Sequence, residues 1–121
     1  MITKFNEKFL RANSILYCEK FNRTIRFYRD ILNFPVVHET EWFVEFKLGD
    51  KSFLSIADAR RTTIDSGNGA GITLSFKVRD LDRAHEMLND LGIETSDIRP
   101  VWGARAFFMS DPEGHRIELW C

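Results

Sequence analysis

The chain has 121 residues, of which 44% are hydrophobic and 29% are charged; this size and balance fit one folded domain and exclude a disordered chain. Its 17 Lys and Arg nearly balance its 18 Asp and Glu, so no excess charge attracts nucleic acid or an anionic membrane. The apolar runs are shorter than a bilayer span, and the first residues lack the apolar middle of a signal peptide. We therefore expect a soluble cytoplasmic protein.

The first half of the chain predicts a strand, a helix and three more strands. The segment NSILYC (residues 13–18) predicts the first strand, and the residues after it have the spacing of an amphipathic helix. Asn22 is a candidate N-cap of this helix, and Asn33 ends it, because asparagine adopts the left-handed backbone conformation at low cost. The alternating runs PVVHE, WFVEFKL and SFLSIA then predict three strands. The apolar stripe of the helix consists of Phe21, Ile25, Tyr28 and Leu32.

The same order recurs about sixty residues later. TLSFKV (residues 73–78) predicts a strand, Asp80 is placed to cap the following helix, and Gly92 ends that helix 59 positions after Asn33. The runs ETSDIRP, ARAFFMS and RIELW complete the second half with three strands. Such a repeat fixes topology more firmly than local propensity does. The predicted fold class is α+β, with two βαβββ modules.

The repeat also predicts the domain organisation. Residues 1–121 form a single domain, with a first module at about 10–58, a linker at 60–71 and a second module at about 72–121. The linker, RRTTIDSGNGAG, is polar and glycine-rich, and it is long enough for two chains to exchange modules. The residues before about Leu10 are a candidate extra arm.

Side chains alternate across a strand, so each predicted strand has two different faces. In the strand that opens the second module, Phe76 and its apolar neighbours face the helix, whereas Thr73 and Ser75 face away. The same alternation elsewhere collects aromatic rings and polar groups on the face away from the helices, which is the composition of a small-molecule site. A plain solvent-exposed sheet face is the alternative interpretation. The predicted site face contains Asn13, Tyr17, Phe43, Glu45, Phe53, Ser55, Thr73, Ser75, Arg116, Glu118 and Trp120.

Three segments occur in an order that is typical of one protein superfamily. They are RTIRFYRDILNFPVV (residues 23–37), FKVRDLDRAHEMLNDLGIE (76–94) and FFMSDPEGHRIELW (107–120). From about Leu10 to Trp120 the chain resembles the vicinal oxygen chelate superfamily, which includes glyoxalase I, extradiol dioxygenases, fosfomycin-resistance proteins and bleomycin-binding proteins. The resemblance implies modules whose mixed sheets curl around a shared cleft, often completed by a second chain, so we expect a homodimer.

The resemblance also implies where a metal would bind. In the metal-dependent members the ligands come from the first and last strands of the modules, and the aligned positions here are Asn13, Ser55, Thr73 and Glu118. Only Glu118 keeps the family ligand, and amide and hydroxyl groups are weak donors for a transition ion. The histidines, including His115 in the last hairpin turn, are predicted to be surface groups. We therefore expect no metal and no other cofactor.

The missing ligands favour a non-enzymatic binding protein, similar to the bleomycin-resistance branch of the superfamily. Such a protein holds an aromatic or amphipathic small molecule in its cleft, for example to sequester an antibiotic. The alternative is a metal-dependent lyase, isomerase or dioxygenase that uses a divalent ion in an atypical site including Glu118. A dimeric interaction module is a third hypothesis. Apart from the ligand and a second copy, neither nucleic acid nor a membrane is an expected partner.

Candidate contacts for the small molecule combine aromatic rings with charged groups that orient its polar atoms. The segment WGAR (102–105) is either a mobile edge of the pocket, since Gly103 permits an unusual turn, or a plain connection between strands. The stacking candidates are Trp42, Phe43, Phe53, Trp102, Phe107 and Trp120. The orienting candidates are Glu45, Arg105 and Glu118.

Overall fold

In the first half of the chain, one helix packs against a four-stranded mixed sheet. A computed structural model describes residues 3–121. The elements of this half are β1 (Ala12–Cys18), α1 (Phe21–Arg26) with a π-helical turn after it (Phe27–Ile31), β2 (Val36–Glu39), β3 (Phe43–Lys47) and β4 (Ser52–Asp58). β4 pairs in parallel with β1 and antiparallel with β3, which gives the strand order β1-β4-β3-β2.

The second half repeats this arrangement. Its elements are β5 (Thr73–Lys77), α2 (Leu81–Asp90), β6 (Arg99–Val101), β7 (Ala104–Ser110) and β8 (Arg116–Trp120). The strand order β5-β8-β7-β6 is that of the first sheet, with β8 parallel to β5. The predicted α+β fold of two βαβββ modules is therefore confirmed. Within residues 3–121, no helix combines the length and the apolar character that a bilayer span requires.

The predicted helix ends are confirmed. Asn33 and Gly92 have φ angles of 58° and 81°, which is the left-handed conformation that ends a helix. The predicted cap of α2 is also present, because the Asp80 carboxylate accepts a hydrogen bond from the N–H of Arg83 at 3.0 Å. Local sequence therefore determines these three boundaries.

The start of α1 differs from the sequence prediction. Asn22 does not cap this helix, because α1 already begins at Phe21 and has no side-chain cap of its own. Instead, the Glu113 carboxylate of the second module accepts hydrogen bonds from the N–H groups of Glu19 at 2.9 Å and Lys20 at 2.8 Å, just before the first turn. A negative charge at this position also interacts favourably with the helix dipole. The second module thus stabilises the start of the first module's helix.

β6 is shorter than the sequence predicts. The run ETSDIRP (94–100) predicts a strand, but only Arg99–Val101 pairs with β7. Ser96 bonds to β7 in another way: its N–H donates to the Phe108 carbonyl, and its hydroxyl accepts from the Phe108 N–H, both at 2.9 Å. The prediction fails because a side-chain hydrogen bond competes with regular strand pairing here. No strand covers the edge of β7 beyond β6.

The helix-facing sides of the two modules meet in one hydrophobic core. The Phe34 ring stacks on Tyr28 and lies edge-on to Phe76 of the second module, with ring centroids 5.7 and 5.6 Å apart. Each fully buried large side chain contributes about 1.5–3 kcal/mol to folding, so the modules stabilise each other. Core residues from both modules include Leu16, Phe46, Leu54, Ile56, Leu81, Leu88, Phe107 and Ile117.

A buried polar junction also joins the modules at the turn between β7 and β8. One oxygen of Asp111 accepts from the Tyr28 hydroxyl at 2.6 Å and lies 2.8 Å from His115 Nδ1. The other oxygen accepts from the N–H groups of Glu113 and Gly114 at 3.0 Å and of His115 at 2.9 Å. The prediction that His115 is a surface group is wrong, because the turn folds around this carboxylate and buries the imidazole.

Acid is expected to weaken this junction. Burial alone would raise the pKa of Asp111, but hydrogen bonds from His115 and Tyr28 outweigh it and hold that pKa below its ordinary value. The pKa of Glu113 is also lowered despite its burial, mainly by a hydrogen bond from Ser66 and by backbone N–H groups. A carboxyl with a depressed folded-state pKa stabilises the fold above its unfolded pKa, and this stability is lost as the pH falls through the folded value.

We therefore expect the urea midpoint to stay constant near neutral pH and to fall below about pH 4. Urea denaturation followed by tryptophan fluorescence at a series of pH values measures this. The Glu113→Gln variant is expected to show a shallower fall, because one of the titrating groups is gone. A wild-type midpoint that does not change in acid would contradict the prediction.

The connection between the modules runs beside the same turn. β4 ends at Asp58 and β5 begins at Thr73, so residues 59–72 join the two sheets. At Gly69 the backbone passes so close to Gly114 that no side chain fits between them. The linker is therefore packed against the second module at this point.

Candidate small-molecule site

Each sheet turns one face toward the helices and one face away from them, and we call the second its open face. The register of the first sheet places Ser55 of β4 between Ile15 of β1 and Glu45 of β3, so these side chains share one face. The open face of the first sheet presents Asn13, Ile15, Tyr17, Phe43, Glu45, Lys47, Phe53 and Ser55. All the first-module residues of the predicted site face therefore lie together.

A chain of hydrogen bonds crosses the open face of the first sheet. The buried Ser55 hydroxyl donates to Asn13 Oδ1 at 2.8 Å, and the Asn13 amide donates to Glu45 Oε2 at 3.3 Å. The Arg11 guanidinium donates to the same carboxylate oxygen at 2.8 Å and lies over the Phe53 ring, 3.7 Å from its centroid. Sequence reasoning misses Arg11, although its place two residues before Asn13 on an extended chain indicates the same face.

The open face of the second sheet has its own polar contacts. The Ser75 hydroxyl donates to Glu118 Oε1 at 2.6 Å. The Arg116 guanidinium lies over the Phe108 ring, 3.9 Å from its centroid, and donates to the Thr73 hydroxyl at 3.3 Å. The ring contact and the hydrogen bond together fix the position of this cation.

A second cation lies over a ring at the other end of this face. Lys77 Nζ is 5.2 Å from the centroid of the half-buried Trp120 ring. A cation–π contact at an exposed site contributes about 0.5–1 kcal/mol. Both contacts therefore hold long charged side chains beside aromatic surfaces without covering those surfaces permanently.

The predictions that Phe107 and Arg105 contact the small molecule are wrong, because the alternation along β7 places both side chains on the helix-facing side. Phe107 is fully buried in the core. Arg105 lies on the same helix-facing side and donates to the Asp82 carboxylate of α2 at 2.9 and 3.0 Å. The register pairs Phe108 with Glu118, so Phe108 is the ring on the open face. The apolar run AFFM is hydrophobic in both phases, and alternation alone does not decide between them.

The two remaining tryptophan candidates occupy turns. Trp42 precedes β3, and its ring lies 5.7 Å from the Phe43 ring at the edge of the first open face. Trp102 and Gly103 form the tip of the β6–β7 hairpin with φ angles of 51° and 80°. Trp102 is 100% exposed. Within one chain, Trp42 therefore lies at the edge of the first open face, whereas Trp102 lies at an exposed hairpin tip.

A single chain keeps the two open faces apart. The sheets share no hydrogen-bonded strand pair, and the modules meet through their helix-facing sides, as the contact of Phe34 with Phe76 illustrates. Within residues 3–121, no hydrogen bond or aromatic contact joins one open face to the other. The residues of the predicted site face are therefore divided between two separate faces of one chain.

Sequence comparison identifies the family to which this arrangement belongs. Residues 10–119 match the family model of the Glyoxalase/Bleomycin resistance protein/Dioxygenase superfamily. The chain belongs to this superfamily. The uncharacterized protein YwkD of Bacillus subtilis (strain 168) is 29% identical over 119 residues, which cover 87% of this chain and 91% of that protein.

Solved structures of the glyoxalase superfamily show the same fold. The lactoylglutathione lyase of Agrobacterium tumefaciens superimposes with a TM-score of 0.75 and 19% identity, covering 96% of this chain and 95% of that one. TnmS3, an antibiotic binding protein from Streptomyces sp. CB03234, has a TM-score of 0.77 and 16% identity, covering 96% and 97%. At these identities the likeness shows the fold alone, so the site must be judged from this chain's residues.

The residues at the superfamily's metal positions do not fit a transition-metal site. The donors there are the amide of Asn13, the hydroxyls of Ser55 and Thr73, and the carboxylate of Glu118. Three of them are weak ligands, and all four are already hydrogen bonded within the chain. Within residues 3–121, no three His, Cys, Asp or Glu side chains are grouped closely enough to hold a metal ion.

Proposed function

We propose that this member of the glyoxalase superfamily binds an aromatic or amphipathic small molecule on its open faces, without a metal, and acts by sequestering an antibiotic. The proposal rests on one observation: half-buried rings alternate there with polar groups that hydrogen bonds already hold in place. Phe43 and Phe53 on the first face and Trp120 on the second offer flat apolar surface. Glu45 and Glu118 are oriented beside them to accept hydrogen bonds from a guest.

We also propose that a second copy of the chain completes the site. The two half-sites lie on separate sheets, so a ligand gripped by both faces requires the first sheet of one chain and the second sheet of another. The arm before β1 supports association, because Phe5, Phe9 and Leu10 are 72%, 86% and 81% exposed beside the first sheet. Apolar residues exposed to this extent in succession are typical of a surface that another chain covers.

The role of one structural relative agrees with this choice. TnmS3 is described as an antibiotic binding protein, and it has the same fold. The lactoylglutathione lyase shares the fold as well, so the fold itself does not select between binding and catalysis. The donor set supports binding, because it offers an organic guest rings and hydrogen bonds and offers a metal ion one strong ligand.

Ligand binding is tested with three compounds: the glycopeptide bleomycin, the phosphonate fosfomycin and the neutral aromatic 2-naphthol. We expect at least one of them to raise the melting temperature saturably. Because Trp120 supplies stacking surface, Trp120→Ala is expected to lower the affinity for that ligand by about tenfold or more, as measured by calorimetry. Met87→Ala, which removes an exposed apolar side chain from α2 on the other side of the sheet, is the matched control.

Four outcomes would overturn the proposal or part of it. If none of the three ligands binds, the proposed binding function is wrong. If Trp120→Ala and Met87→Ala have equal effects, the ligand does not bind on the open face. If the protein is a monomer in sedimentation equilibrium and still binds the ligand, a second copy does not complete the site. Protein purified without chelator that carries about one metal ion per site, and loses it in Glu118→Ala, supports the metal-dependent enzyme instead.

A further inference from the structure

A cavity of about 770 Å³ lies between the two modules, and it borders the second open face at one end of the second sheet. α1 of the first module forms one wall with Arg23 and Phe27. The second module forms the other walls with residues 92–96, residues 108–112 and Arg116. The residues that the cavity shares with the second open face are Phe108, Ser110 and Arg116, where β7 ends and β8 begins.

The rim of this cavity carries cations that have no carboxylate partner. Within residues 3–121, none of Arg23, Arg26 and Arg116 forms an ion pair. Arg23 and Arg116 line the cavity itself, and Arg26 lines its continuation along α1. A guanidinium presents several N–H donors in a fixed plane, and most of those on Arg116 are unused in the chain.

The nearby carboxylates do not cancel these cations. The two oxygens of Asp111 are occupied by its own turn, by Tyr28 and by His115. Asp30 is paired with Arg29 at 2.8 Å. This leaves exposed Glu94 as the one unpaired carboxylate of the described lining, against three guanidiniums that form no ion pair.

The floor of the cavity is apolar. The buried Phe27 ring and the half-buried Ile93 and Pro112 lie beneath the cations and line both the cavity and its continuation. Phe27 is also the first residue of the π-helical turn Phe27–Ile31. Single π-helical turns interrupt α-helices chiefly at functional sites, because the regular α-helix is otherwise preferred.

We propose that this cavity binds a small amphipathic organic anion, with its charged group between Arg23 and Arg116 and its apolar body on Phe27, Ile93 and Pro112. The class includes carboxylates, sulfonates and phosphate monoesters that carry a ring or a short alkyl chain. A guanidinium suits such head groups because it donates two parallel hydrogen bonds to two oxygens. The site does not depend on the function proposed for the open faces.

The test uses 2-naphthoate as the probe and 2-naphthamide as its uncharged match. We expect naphthoate to bind saturably and to shift the amide signals of residues 92–96 and of Ser110 and Asp111 in nitrogen-15 NMR spectra. Arg23→Gln and Arg116→Gln are each expected to weaken binding by about tenfold, because each removes charged hydrogen bonds. Glu94→Gln is expected to tighten binding a few-fold, because it removes the free carboxylate.

Arg79→Gln is the control for general charge effects, since Arg79 is exposed and lies outside the lining. The proposal is overturned if naphthamide binds as well as naphthoate, if Arg79→Gln has the effect of Arg23→Gln, or if naphthoate does not bind at millimolar concentration. It is also overturned if the shifts appear at Ser55 and Glu118 and Trp120→Ala abolishes binding. That last result would leave the open-face function standing, because Arg23 lies outside both open faces.

Discussion

Replacing Asp111 by Asn is expected to lower the free energy of unfolding by about 3 kcal/mol. One oxygen of the Asp111 carboxylate accepts from the Tyr28 hydroxyl and lies against His115, and the other accepts from three backbone N–H groups. An asparagine amide offers one oxygen and turns an NH₂ donor toward other donors. Each buried N–H or hydroxyl donor that loses its acceptor still carries its desolvation cost. This cost is expected to be largest for the most buried donors.

Urea denaturation of the purified variant measures this change. Asp97→Asn is the matched control, because Asp97 is exposed and its carboxylate makes no hydrogen bond among the described residues. We expect the control to differ from the wild type by less than about 0.5 kcal/mol. If Asp111→Asn unfolded at the same urea concentration as Asp97→Asn, the junction would not stabilise the contact between the modules.

Gly69→Ala is expected to destabilise the protein by about 3 kcal/mol more than Gly71→Ala. Both glycines have a left-handed backbone, with φ angles of 81° and 79°, so an alanine costs about 1–2 kcal/mol of strain at either position. The surroundings differ. A Cβ at Gly69 would lie 2.1 Å from the carbonyl carbon of Gly114, whereas one at Gly71 meets nothing within 4 Å.

Thermal and urea unfolding of the two variants separate the steric cost from the backbone strain. The clash at Gly69 involves main-chain atoms of the turn, which cannot move aside without breaking the hydrogen bonds to Asp111. Equal losses in the two variants would mean that the linker lifts away from the second module without penalty. In that case the close approach at Gly114 has no part in holding the modules together.

The fold was accessible from sequence because its signals are local and occur twice. Helix periodicity, the Asp80 cap and the stops at Asn33 and Gly92 depend on short stretches of chain, and the repeat doubles the evidence for each module. The errors occur where distant residues decide. Asn22 loses its predicted role because Glu113 of the other module takes it.

The sequence predicts only part of the candidate site, and the physical reason differs between the two sheets. In β1, β3 and β4 the alternation predicts that Asn13, Glu45 and Ser55 share one face, and the register confirms this. β7 carries adjacent rings at Phe107 and Phe108, and only the register against β8 decides which one is buried. The cavity between the modules has no sequence signal, because Arg23 and Arg116 are brought near each other by tertiary packing.

The hydrogen bonds from Glu113 tie the order of folding to the order of synthesis. The carboxylate that receives the N–H groups before α1 lies 94 and 93 residues further along the chain. While the ribosome is still making the protein, the first helix therefore lacks its stabilising partner until Glu113 has emerged. Although the sequence repeats, only the second half contains the cap of its own helix, so the first helix depends on a long-range contact that local folding alone does not supply.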